Sequence, residues 1–400
     1  MGRIRNTFRR LGDALEGDKR LKGKYLESVL VGLLFQGGHV HIHTPLNKEH
    51  TRDIAEGMQA HLPVALRVPP KPQKVAFETD EGEVEGEPVR KVILQERHSP
   101  GDILTMTRAV ADLKMTYPEM LIDVRSPCQE IWEGFPYLTP LEDNDPEAKV
   151  ISVDYPGIHR SGWSGEHFAD AFREDIENKL GLKIKKTGYR PEIHLREEEK
   201  HWINQVEVEF GWTGPFWILN AGRKNDNELK AYHRWQEFAD QWHHRFEGKV
   251  KLVQVGHLGN EDNPHFHPDL KGVYNLVGKT DTRQLIRLAW WSHGTIGPIS
   301  FQFVLAASLQ KPHVVVAGGK EGVRWHIYPH GRFLYTNGAL RCCEWDGCWL
   351  GGEKGKCRDL VETNVGTVPH CFELIKPHQI VDAAWMYYEG GMLNINERGI

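Results

Sequence analysis

The sequence has no apolar run long enough to cross a bilayer. The longest one near the N-terminus is Val29 to Phe35, against the roughly 20 residues a spanning helix needs. No basic-apolar-small leader pattern precedes it, so a cytoplasmic location is the expectation. Charge of one sign is missing too: 50 Lys+Arg stand against 55 Asp+Glu, a formal charge of -5, which leaves no basic field to hold nucleic acid. Short-period repeats and low-complexity tracts are absent. Cysteine is almost missing from the first 341 residues, where Cys128 stands alone, yet five more follow within a short C-terminal stretch.

What is present begins with length. At 400 residues the chain exceeds one ordinary core and suits two, since domains run to roughly 100 to 200 residues. The first 24 residues carry eight Lys/Arg and three Asp/Glu, with Ile4, Phe8, Leu11 and Leu15 at helical spacing. This is either a solvated arm or a helix lying on anionic lipid at the inner membrane surface. A helix from Leu26, a strand at His39 to His43 and a helix from about Lys48 to His61 follow. The stretch from Pro69 to Val89, with four prolines and an acidic run, reads as a linker or exposed hairpin. His39, His41 and His43 share a strand face at ligand-like spacing, but no acidic or Cys partner is nearby and an exposed face explains it.

From residue 90 the pattern alternates. Val92-Ile93-Leu94 is a buried strand, Ser99-Pro100-Gly101-Asp102 a turn, and Ile103, Met106, Val110 and Leu113 one helical stripe that Tyr117-Pro118 ends. Met120 to Val124 starts another strand, and Phe168, Phe172, Ile176 and Leu180 mark a further helix. A second block repeats the rhythm with strand Phe216 to Leu219, a helix from about Ala231 to Arg245, strand Leu252 to Gly256, and strand Val273 to Val277. The helix Thr282 to Trp291, strand Gly294 to Gly297, a helix from Ser300 and strand His313 to Ala317 complete it. Two α/β lobes facing across a cleft are expected. The boundaries fall at residues 1–89 (extension and linker), 90–206 (first lobe), 207–341 (second lobe) and 342–400 (cysteine-rich segment and C-terminal helix).

In such sheets ligands bind beyond the carboxyl ends of the strands. Asp102 stands at a loop-to-helix junction, where a carboxylate either caps the helix or accepts a proton from an incoming hydroxyl. Ser300 opens an apolar helix after Gly297, so backbone N–H groups would face the cleft and suit phosphate. Arg223, Lys224 and Lys230 could neutralise a diphosphate, or form a solvated face. Tyr155, His159, Trp163 and His167 mix rings with hydrogen-bonding groups, a combination suited to sugar faces or to packing. His257, His265 and His267 read as surface residues of a polar loop bordering the cleft.

Gly101-Asp102-Ile103-Leu104-Thr105, with Leu113 and Tyr117-Pro118, resembles the N-terminal signature of bacterial heptosyltransferases, the family 9 glycosyltransferases. The second lobe agrees in order: Asn275 to Thr280, Arg283 and Leu285, Gly297 to Ser300 with Leu305-Ala306-Ala307, and Lys311 to Val315. The resemblance covers about residues 90 to 390. It implies a GT-B fold, two doubly wound Rossmann-like lobes with a C-terminal helix near Ile380 to Glu389 crossing back to the first. It also implies inverting transfer of a sugar, heptose included, from a nucleotide-diphosphate donor such as an ADP-linked sugar to an acceptor hydroxyl on a glycan, lipopolysaccharide or protein.

By the same resemblance Asp102 is the base; Ser99 and Gly101 of its loop, with Tyr155, His159, Trp163 and His167, are the acceptor-side candidates by their residue types. Lys230, or else Lys224, meets the diphosphate, and Asn220, Arg223, Gly297 and Ser300 complete the donor side. One departure stands out: where the family has Asp-Ser/Thr-Gly, this chain has Ile299-Ser300-Phe301. Gln302, Gly318, Gly319 and Glu321 then become the donor-loop candidates. Other readings of the same fold are a nucleotide-sugar epimerase or hydrolase and a non-catalytic scaffold. A homo-oligomer is compatible with all of them.

In a cytosolic chain the clustered thiols suit structural zinc or iron rather than disulfides. Cys343, Cys348, Cys357 and Cys371 are the favoured ligands, with Cys342 as the alternative. Buried thiols without metal are the competing expectation. No catalytic metal is expected.

Overall fold

In a computed structural model of the chain, the described residues are 35–36, 39–40 and 89–389, less 162–164, 225–229, 345–346, 349–355 and 365. The chain forms two compact units, residues 1–71 and 72–400. Of the first, a short antiparallel pairing of Phe35–Gln36 with His39–Val40 is described. The basic arm, the helices expected from Leu26 and over 48–61, the run 41–43 and the acidic linker through residue 88 lie outside the described residues.

The second unit opens with β1 (Lys91–Gln95), whose apolar centre is fully covered. Helix α1 (Pro100–Thr116) follows and is buried along most of its length. It ends where the Tyr117 backbone leaves the helical region ahead of Pro118, because the proline ring disfavours helical geometry in the preceding residue. Strands β2 (Leu121–Arg125) and β3 (Ala148–Ser152) flank β1 in parallel. Helix α2 (Phe168–Leu180) ends at Gly181 in the left-handed conformation, and α3 (Gln205–Phe210) leads out of this lobe.

The second lobe contains β4 (Phe216–Leu219), β5 (Arg223–Lys224), α4 (Trp235–Arg245), β6 (Lys251–Gln254), β7 (His265–Phe266) and β8 (Tyr274–Asn275). It continues with α5 (Thr282–Trp291), β9 (Gly294–Pro298), α6 (Phe301–Ser308), β10 (His313–Gly318) and β11 (Gly331–Tyr335). Apart from the small β5–β7 ribbon these strands make one parallel sheet in the order β8-β6-β4-β9-β10-β11. Numbered along the lobe, that is the 3-2-1-4-5-6 order of dinucleotide-binding sheets. Both faces are covered, and alternate residues serve each. Phe216, Ile218 and Val315 join the core shared with α5, α6 and the first lobe, whereas Trp217, Leu219, Val314 and Val316 face α4.

The C-terminal helix α7 (Pro377–Trp385) corrects one expectation. It packs on the second lobe, its Ile380, Val381 and Ala384 sharing a core with Phe238 and Trp242 of α4. Tyr388 just beyond it accepts from the Trp217 indole N–H at 2.7 Å. This apolar face of the second sheet needs a cover, and α7 supplies it. Among the described residues no helix is long and apolar enough to cross a membrane.

Candidate active site between the lobes

A parallel sheet opens a crevice where its strand order reverses, because successive loops there leave in opposite directions. In the first lobe the reversal lies between β1 and β3, and their following loops deliver Ser99 to Asp102 and Tyr155. In the second it lies between β4 and β9, and delivers Asn220 and Pro298 to Ser300. All of these line one cleft of about 740 Å³, within the range of small-molecule sites.

On the first-lobe side, Asp102 is in the first turn of α1 and its Oδ2 accepts from the Ser99 N–H at 3.2 Å. The carboxylate thus touches the helix end and also faces the cleft. Burial pushes its pKa above the ordinary aspartate value, against the opposing pull of Lys230 and of the Ser99 amide. Tyr155 brings its hydroxyl within 3.5 Å of Oδ2 and is held by Phe168 and Phe172. Burial first, then the Asp102 charge, keeps Tyr155 a neutral phenol. Behind Tyr155, fully buried Glu96 accepts from the His98 backbone N–H at 2.7 Å, and the His98 ring lies 4.8 Å from that of Tyr155.

On the second-lobe side, Asn220 Nδ2 donates to Ser300 Oγ at 3.2 Å and Gln302 Oε1 at 3.1 Å. The Ser300 hydroxyl sits 3.1 Å from the Pro298 carbonyl and 2.9 Å from Gln302 Oε1. It therefore leaves α6 without a side-chain cap, and the first turn, Phe301 to Val304, lines the cleft, at the kind of helix end that holds anions. Lys230 lies 3.3 Å from Glu321 Oε1, while Glu321 Oε2 meets His326 Nε2. Burial alone would raise Glu321, but Lys230, His326 and Lys320 outweigh it and hold the carboxyl well below the usual range. Glu321 thereby fixes Lys230 rather than presenting a vacant carboxylate.

Arg223 and Lys224 also line the cleft. Other expected residues are elsewhere. Gly297 backs Asn220, where an added Cβ would come 3.0 Å from the Asn220 carbonyl. Gly318 and Gly319 lie against Cys371 and Cys343. His167 caps α2, its Nδ1 accepting from the Ala169 N–H at 3.1 Å, so its Nε2–H donates to the Ile327 carbonyl at 3.1 Å. Burial pushes its pKa down to about 3. Trp163 lies outside the described residues, and His159 belongs to a single helical turn, Pro156–Arg160, after β3.

Nothing in the sequence pattern marks Cys128, Glu130, Asp281 or His326 for the cleft, and His257, His265 and His267 read there as surface residues bordering it. All seven line it. The histidines arrive because β5 pairs antiparallel with β7, folding the loop back over the strand ends, a long-range pairing of two residues per strand without a periodic signal.

The cysteines converge, though not on a coordination geometry. Cys342, Cys343, Cys348, Cys357 and Cys371 line one void of about 10 Å³ with Lys320 and Asp359, room for a single atom. Burial, then neighbouring thiols, pushes Cys342 and Cys348 up to about 11 and about 12. The sulfur-rich donor set suits zinc or iron, but among the described residues no group of three or more His, Cys, Asp or Glu side chains is disposed to hold a metal ion. The segment wraps the loop that carries Glu321: the Cys348 N–H donates to the Gly319 carbonyl at 3.1 Å.

No protein-family model matches the chain, and no curated protein matches it. Solved structures do. A family 9 glycosyl transferase from Veillonella parvula is 15% identical, aligned over 76% of this chain and 98% of its own, with a TM-score of 0.52. The iron-containing dodecameric glycosyltransferase TibC from enterotoxigenic E. coli is 14% identical over 80% of each chain, with a TM-score of 0.54. The TibC heptosyltransferase in complex with ADP-D-β-D-heptose is 13% identical over 77% of this chain and 78% of its own, also at 0.54. The sheet orders, the crevice between the lobes and these likenesses agree: the chain has a heptosyltransferase-like GT-B fold, similar to that of family 9 glycosyltransferases.

Proposed function

We propose that the chain is an inverting glycosyltransferase that moves a sugar, heptose among the candidates, from a nucleotide-diphosphate donor to an acceptor hydroxyl. The observation that carries this reading is the pairing across one cleft of a carboxylate made more basic by burial, Asp102, with an uncapped helix end and Lys230. Asp102 takes the acceptor proton as the acceptor oxygen bonds to the anomeric carbon. The bond from that carbon to the diphosphate oxygen breaks, and its electrons leave with the diphosphate. A single displacement inverts the centre. Lys230 and the α6 amides stabilise the charge that develops on the leaving group.

Asp102→Asn removes the base and keeps the shape. Transfer should fall by about 10²–10⁴-fold, the usual share of general-base catalysis, while calorimetry shows donor binding retained. Turnover at the parent rate in that variant would sink the assignment. Product formed from donor without acceptor would instead favour the epimerase or hydrolase, and no binding to any nucleotide sugar would favour a scaffold.

We further infer a structural zinc or iron held by Cys343, Cys348, Cys357 and Cys371, with Cys342 beside them. Five thiols around one single-atom void support it. The ion would brace the loop leading to Glu321 and take no part in bond making. Elemental analysis of purified protein should find about one equivalent; absence of both metals counts against the site.

A further inference from the structure

The loop from His257 to His267 is built into the cleft wall. A bridge between Gly259 and Pro264 closes it on itself, and the β5–β7 ribbon sets Lys224 opposite His265 and Arg223 opposite Phe266, with the Arg223 guanidinium 5.0 Å over the Phe266 ring. His267 occupies a slot that two strand-end glycines leave open. A Cβ at Gly222 or Gly256 would fall 2.2 or 2.0 Å from its Cε1, distances no real side chain tolerates. Its Nε2–H donates to the His257 carbonyl at 3.0 Å, and its Nδ1 is buried without a hydrogen-bond partner.

His265 is lowered by burial first, then by Lys224, His257 and His267. Of the nearby carboxylates, Glu261 and Asp262 are exposed at the loop tip. Asp281, across the cleft, is engaged as the cap of α5, accepting from the Gln284 N–H at 2.7 Å. By contrast His326, on the same cleft, is paired with Glu321. Among the described residues Arg223, Lys224, His257, His265 and His267 thus line one stretch of the cleft with an orphaned ring nitrogen and no ion pair to a carboxylate.

We propose that this loop is a proton-loaded clamp for the donor's diphosphate, in which His265 takes up a proton as the anion binds and holds it together with Lys224, on a wall set by His267. The inference rests on the nucleotide-sugar reading of the cleft and adds a proton linkage to it. An anion among these groups favours their charged forms, so donor affinity is greatest below the ordinary histidine range and declines as pH rises through it.

The test is calorimetry of the full chain with ADP-glucose, a diphosphate diester whose own charge is constant between about pH 6 and 8, and with sulfate as a bare anion. Repeating each titration in buffers of different ionisation enthalpy counts protons. We expect net proton uptake on binding, and affinity that falls toward alkaline pH by up to about tenfold per pH unit for each proton taken up. Combining His265→Gln with His267→Asn should flatten that dependence. His265→Gln alone, on the ribbon, should lower the proton count; the parent measurement decides the matter even if the double variant fails to fold.

ADP-glucose bound without proton uptake, or with an unchanged pH dependence in the variants, overturns the clamp and leaves glycosyl transfer standing. Sulfate bound with proton uptake but no nucleotide sugar supports the clamp and removes the donor reading. Binding of neither overturns the clamp and rules out an ADP-glucose donor.

Discussion

Glu321 is a fully buried carboxylate whose two oxygens are both engaged, one by Lys230 at 3.3 Å and the other by His326. Such a group acts through its neighbours: it fixes the position of Lys230, and its charge helps raise Asp102. Glu321→Gln keeps the volume and removes both effects. Transfer should fall by about tenfold, less than the roughly 10²–10³ expected for a group touching the reacting atoms. Because Asp102 loses a like-charge neighbour, the acid limb of kcat/KM should move to lower pH. A rate profile that drops in height with its acid limb unmoved would mean that Glu321 acts on Lys230 alone.

Elements with strong periodicity are legible in the sequence; elements made by tertiary contact are not. The spacing of Phe168, Phe172, Ile176 and Leu180 matches α2 to its ends, and α5 begins and ends at the expected residues. The reading of α4 starts early, at Ala231, whereas the helix begins at Trp235. Tyr232 explains the difference: its ring is buried and its hydroxyl donates to the Ile375 carbonyl at 3.1 Å, a contact that outweighs local propensity. Edge strand β11, half-buried at every position, has no alternation to announce it. At the site, Asp102 and Ser300 are legible because a helix end sits at a fixed place relative to its strand. The brace between lobes is not. Arg283 of α5 reaches Glu199 at 2.7 Å from Nε and also donates to the Glu130 and His194 carbonyls, partners scattered through the first lobe.

Across the whole molecule, buried histidines set how the fold responds to acid. His167 and His313 are both buried, and burial lowers them to about 3 and about 4, against an ordinary value of 6.5. The folded chain therefore keeps them neutral where the unfolded chain takes up protons. Their contribution is fully present above about pH 6.5 and is lost as pH falls toward their folded values, at up to about 1.4 kcal/mol per pH unit for each. Paired carboxylates weaken only at lower pH, so the interval from about pH 6.5 to 5 belongs to the histidines. Denaturant midpoints should fall steadily across it. His167→Asn tests the assignment, because Asn supplies a good helix cap in place of Nδ1 but does not titrate. The variant should be less stable near neutrality, having lost the Ile327 bond and the ring contacts to Tyr189 and Tyr328. It should also lose less stability than the parent on acidification. A slope equal to the parent's would place the acid sensitivity elsewhere in the molecule.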